Sequence, residues 1–279
     1  MLERKRKIFG SKLVSATETK IETLLGSKRQ RLVISVILLS IGLFVSEYFL
    51  GKSGIYLVFI LSLLSDFFLF LALRKDLKNN FMPQIFILPF LFSLSFGMFY
   101  LLVPARLLTR IFITGLYATG LYSLFLSENI FTVSSMRTIA LLSGARTVTF
   151  TLTLLSFFFL SNVVFSMHLN VLITLAIIFI YTFPIVLQSL WIHTLEKNIL
   201  SEISWALLLT ICLFELSVML WFWPSTPTLI SLFLTGVFYS LIGLTQMWFD
   251  KRLFRSVIWE YILVSIIVFI ALVLYTSWI

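Results

Sequence analysis

Two acidic side chains stand in the middle of long apolar runs, Asp66 within 54–73 and Glu215 within 204–223. An ionised group at the centre of a hydrocarbon layer costs about 2.5–3.5 kcal/mol on insertion scales, so each needs a partner or a task. No Lys, Arg or His of the apolar runs falls at their depth. The chemistry left to them is protonation with a hydrogen bond to Ser, Thr or backbone, contact with a water-filled cavity, or reversible binding of a proton or cation. Asp66 and Glu215 are therefore the candidate transport or proton-binding residues. Glu47 and Arg110 share a shallower depth near one surface. They form a candidate intramembrane pair, with snorkelling to water as the alternative.

The elements that hold these carboxyls follow from composition. Of 279 residues, 60% are hydrophobic and 12% charged, against roughly 45–50% and 25% in an ordinary soluble domain. A hydrocarbon core about 30 Å thick is crossed by roughly 20 apolar residues of helix. Nine segments meet that length, near 32–50, 54–73, 82–103, 107–127, 147–167, 171–191, 204–223, 228–249 and 257–278. Their ends carry turn or charge chemistry, as in Gly51-Lys52-Ser53-Gly54, Arg74-Lys75-Asp76 and Pro224-Ser225-Thr226-Pro227. The expected fold is an all-α polytopic transmembrane helix bundle over 32–279, preceded by a basic head over 1–31.

Orientation follows from the cations, which collect in cytoplasmic loops. With the N-terminus cytoplasmic and the C-terminus extracytoplasmic, 18 of the 21 Lys and Arg lie inside, and only Lys52, Arg106 and Arg110 lie outside. Tryptophan prefers the membrane interface, and the seven Trp fall at predicted span ends, Trp191, Trp205, Trp248 and Trp259 inner, Trp221, Trp223 and Trp278 outer. The expected location is the cell membrane, multi-pass.

The head has nine Lys or Arg against Glu3, Glu18 and Glu22. Leu13, Thr17, Ile21 and Leu24 follow helical spacing and predict a short amphipathic helix. Arg4, Lys5, Arg6 and Lys7 are candidates for contact with anionic lipid, at roughly 1 kcal/mol per charge near the surface; an orientation signal for the first span is the alternative reading. The head has one aromatic, Phe9, and no recognised module, so no nucleic-acid partner is expected. Residues 128–146 read as a cytoplasmic connector against the bilayer, with a re-entrant segment as the alternative. Glu128, Arg137 and Arg146 are its candidate loop residues.

Several chemistries lack their parts. There is no phosphate-binding loop ending in Lys-Ser or Lys-Thr, and no His-Glu-x-x-His. His168 and His193 fall on opposite faces, so no metal site, cofactor or catalytic residue is expected. Cys212, the single cysteine, excludes an internal disulfide. Gly236, Ser240 and Gly243, like Ser93 and Gly97, form small-residue stripes where helices approach closely. Pro184 with Gln188 a turn later, and Pro83 and Pro89, shape their helices.

Ser127-Glu128-Asn129-Ile130-Phe131 followed by Met136-Arg137-Thr138-Ile139-Ala140-Leu141-Leu142 resembles uncharacterised bacterial multi-pass membrane proteins of a domain-of-unknown-function family, a resemblance that implies no activity. The leading functional expectation is a small-solute or ion permease using Asp66 and Glu215. The alternative is a non-catalytic membrane scaffold or assembly partner. A third reading is a lipid-handling enzyme working around 127–147.

Overall fold

The computed structural model describes residues 28–50, 54–77, 82–104, 106–134, 141–195 and 200–276. Among them the chain is helical throughout, as α1 (Lys28–Leu50), α2 (Gly54–Leu77), a 3-10 turn (Pro83–Phe86), α3 (Ile87–Leu102), α4 (Leu107–Ser134), α5 (Leu142–Ser166), α6 (Val171–Thr194), α7 (Leu200–Trp221), α8 (Pro227–Phe249) and α9 (Arg255–Leu274). These nine helices are long and apolar enough to cross a membrane, so the architecture is that of a multi-pass membrane protein. The basic head, with Arg4, Lys5, Arg6 and Lys7, lies outside the described residues, as does Arg137.

Short connections make successive helices antiparallel neighbours. At one end of the bundle Lys28 of α1 pairs with Asp76 of α2. The same end holds the contacts of Arg146 with the last turn of α6. At the opposite end Trp223 donates through Nε1 to Thr276 Oγ1 at 2.8 Å.

Two apolar cores share the bundle. One is built by α1 to α4 with Phe159 of α5 and Trp191 and Ile192 of α6. The other is built mainly by α5 to α8 and centres on Phe157, Tyr181 and Phe238. Helices α3, α5 and α6 contribute to both cores. Much of the chain's phenylalanine is used here rather than against lipid: Phe96 meets Phe159 edge-on at 4.9 Å and Phe99 stacks on Phe159 at 4.1 Å. In the second core Phe157 stacks on Phe238 at 4.4 Å. Such aromatic pairs contribute about 0.5–1.5 kcal/mol each beyond their burial.

Hydroxyls inside the helices are absorbed locally. Ser40, Ser62, Thr153 and Ser189 each donate to the carbonyl four residues earlier, which satisfies a polar atom without a partner helix. Other hydroxyls join helices instead, among them Ser93 with Tyr117 at 2.9 Å and Ser161 with Tyr181 at 2.8 Å.

Most span boundaries fall within a few residues of the sequence reading, and the exception is 128–146. Helix α4 continues to Ser134 and α5 already begins at Leu142, so the expected connector is much shorter. The extension is held by its own inward face, since Leu124, Phe125, Glu128, Phe131 and Thr132 are all buried at helical spacing. Burial of the residues around Glu128 carries the helix through.

The small-residue stripes are close contacts. A Cβ on Gly97 would lie 2.4 Å from Val58 Cγ1, while a Cβ on Gly115 would meet nothing within 4 Å. Gly97→Ala should therefore force α2 and α3 apart and destabilise the protein by about 1–3 kcal/mol, with Gly115→Ala unaffected. Thermal unfolding of both variants in the same detergent checks this.

Candidate functional site

The most deeply placed acid is Glu128. Its side chain is fully buried in α4, on the face that gives Leu121, Leu124, Phe125 and Phe131 to the first core. Oε1 accepts a hydrogen bond from Gln188 Nε2 of α6 at 3.2 Å. Oε2 has no hydrogen-bond partner among the described residues, and neither does Oε1 of Gln188. Gln188 is itself fully buried and follows Pro184 by one helical turn. Proline has no N–H and frees the carbonyl four residues earlier, which is that of Ile180, two turns before the amide.

Asp66 joins this site from α2. Its carboxyl is close enough to Glu128 for the two to interact electrostatically, and its Oδ1 is buried without a hydrogen bond among the described residues. The 3-10 turn carrying buried Gln84 packs against α4 and α6, and Gln84 Oε1 is likewise without a partner. Among the described residues neither Glu128 nor Asp66 forms an ion pair with Lys, Arg or His. Buried acids are paired or hold a cation. The arrangement is thus suited to taking up a positive charge.

The other sequence candidates are placed elsewhere. Glu215 is exposed on α7, and α7 packs against α6 and α8 whereas α2 packs against α1, α3 and α4. Asp66 and Glu215 thus stand on different flanks of the bundle. Glu47 has its side chain outside the described residues, so its pairing with Arg110 is not described. Arg146 is no loop residue: from α5 its Nε donates to Ile192 O at 3.1 Å and its Nη2 to His193 O at 2.7 Å. Cations suit the negative end of a helix dipole, and Arg146 caps α6 there. Leu195 ends that helix in a left-handed turn, φ 50°. On the same end His193 Nδ1 lies 3.7 Å from Asp250 Oδ2, and Gln246 of α8 donates to Ser189 O at 3.1 Å.

Glu128 was read from sequence as a loop residue and Gln188 as a packing feature. The spacing of Leu121, Leu124, Phe125, Phe131 and Thr132 around Glu128 is the signal that places it on a buried face. Glu202, buried in the first turn of α7 with Thr194 Oγ1 donating to it, was missed because it sits at a span end. Among the described residues no group of three or more His, Cys, Asp or Glu is placed to hold a metal ion.

Residues 29–275 match the family described as protein of unknown function (DUF5656). The chain belongs to that family. The DUF5656 match enters in the first turn of α1 and ends just past α9, so it takes in Asp66, Gln84, Glu128 and Gln188 and leaves most of the basic head outside. No curated protein and no solved structure matches the chain.

Removing the one donor to Glu128 leaves both carboxyl oxygens unpaired in an apolar interior. Gln188→Leu should destabilise this DUF5656 protein by about 1–3 kcal/mol, whereas Glu128→Gln, which keeps shape and removes the charge, should stay within about 1 kcal/mol of the parent. Unfolding midpoints in detergent decide between that order and its reverse.

Proposed function

We propose that the protein is a small-solute or ion permease of the cell membrane, with the carboxyls of Glu128 and Asp66 as its intramembrane site for a proton or small cation. The observation that carries this reading is the burial of Glu128 with an amide as partner and, among the described residues, no paired cation. Intramembrane ionisable residues facing a bundle interior are characteristic of ion pathways and proton relays.

Two further features support it. Buried polar side chains continue along one face of α6, from Thr174 through Tyr181 and Thr182 to Gln188 and Ser189. Thr174 lines a cavity of about 450 Å³ at the opposite end of the bundle, together with His168, Trp221, Trp223 and Ser225. The polar face thus leads from an open cavity toward the buried carboxyls. In this reading the N-terminus is cytoplasmic, which the cation distribution favours, and Glu128 lies nearer the cytoplasmic end.

Reconstitution into vesicles tests the reading. With a pH-sensitive dye inside and a potassium diffusion potential set by valinomycin, the parent should acidify the lumen faster than protein-free vesicles. Glu128→Gln and Asp66→Asn should fall to the protein-free rate. If sodium and proton fluxes of the parent both equal those of empty vesicles, the permease reading fails and the carboxyls are structural parts of a scaffold.

A further inference from the structure

Helix α9 touches the bundle through one side only. Leu272 is its one buried residue, and it is pinned to α8 where Val268 covers Gly236 and the ring of Tyr261 covers Gly243. Beside this seam runs a groove of about 330 Å³, walled by Val237, Leu241 and Leu244 of α8 and Ile262, Ile266 and Phe269 of α9. Its floor is sealed by Ser265 Oγ donating to Ser240 Oγ at 2.8 Å and by Ser240 Oγ donating to Tyr261 O at 2.9 Å. No hydroxyl on that floor is left for a polar ligand, so the groove takes a hydrocarbon.

Its length and its ends say which. From Tyr261 to Phe269 the groove follows eight residues of helix, about 12 Å, close to the roughly 15 Å thickness of one leaflet. Beyond its near end, about 9 Å from Tyr261 at helical rise, lies Arg255, preceded by the turn containing Lys251 and Arg252; all three are exposed. Of the acids close by, Asp250 is turned to His193, and Glu260 is exposed on α9. Trp248 and Trp259 are 51% and 67% exposed at the same level, where indole rings mark the headgroup region.

We propose that this groove binds an anionic phospholipid, one acyl chain lying between α8 and α9 and the headgroup phosphate held by Lys251, Arg252 and Arg255. The site is independent of the Glu128 cluster and carries no claim about transport.

Native mass spectrometry of the purified protein, with phosphatidylglycerol and phosphatidylcholine of identical chains in competition, provides the test. The parent should retain phosphatidylglycerol over phosphatidylcholine by a factor of roughly ten. The combined variant Lys251→Gln, Arg252→Gln, Arg255→Gln changes only exposed side chains, and it should retain the two lipids equally. Ile266→Trp, which fills the groove, should lower retention of both. Inorganic phosphate should not compete. A preference that survives the triple variant, or competition by free phosphate at lipid concentrations, overturns the proposal.

Discussion

Glu128 is a carboxyl buried inside the bundle with no ion-pair partner among the described residues, and that constrains everything that touches it. In a bilayer each polar group has to be satisfied within the protein. The hydrocarbon on its face of α4 is supplied by the first core, and among the described residues its donor comes from a neighbouring helix through Gln188. Placing Gln188 requires α6 to be fixed in height and rotation. That is achieved at its end by Arg146 from α5 and Gln246 from α8, which hold its last carbonyls and Ser189 O. Charge on α5 thus serves the position of an amide on α6, and the amide serves the acid on α4.

The remaining polar residues show how the bundle stays apolar where it can. Many serines and threonines return their protons to their own helix or pair across an interface as Ser93 does with Tyr117, while others, such as Thr149 and Thr210, are buried without a partner among the described residues. The unpartnered oxygens of Glu128, Gln188, Asp66 and Gln84 differ from these in belonging to acids and to the amides on elements packed near them. Buried polar groups are satisfied in the large majority of cases, and each unsatisfied oxygen costs about 1–3 kcal/mol. The acids Glu128 and Asp66 each have a buried unpartnered oxygen, which is why function is assigned there and not to the exposed carboxyl of Glu215.

The spans were legible because their signal is length and composition, which do not depend on partners. Asp66 was legible as an anomaly for the same reason. What pairwise geometry decides was not: Glu215 has the same depth signature as Asp66, but which side of α7 faces lipid depends on the packing of α6 and α8. Glu128 was hidden for the opposite reason, since Ser127, Glu128 and Asn129 together resemble a helix end, and only the apolar face continuing to Thr132 shows that the helix goes on. Arg146 had the polarity of a loop residue, and its role as a cap appears only when the end of α6 is seen beside it.

The claim on which the account stands is that residue 128 lies inside the bundle and not in a water-exposed connector. Its most direct test is the reaction of Glu128→Cys, in a background with Cys212 replaced by Ser, with a water-soluble, membrane-impermeant maleimide applied in turn to each side of the membrane, using exposed Leu141→Cys as the reference. Leu141→Cys should be labelled rapidly from one side, and Glu128→Cys should resist labelling from both. Labelling of Glu128→Cys at a rate close to that of Leu141→Cys would place it in water and contradict the buried site.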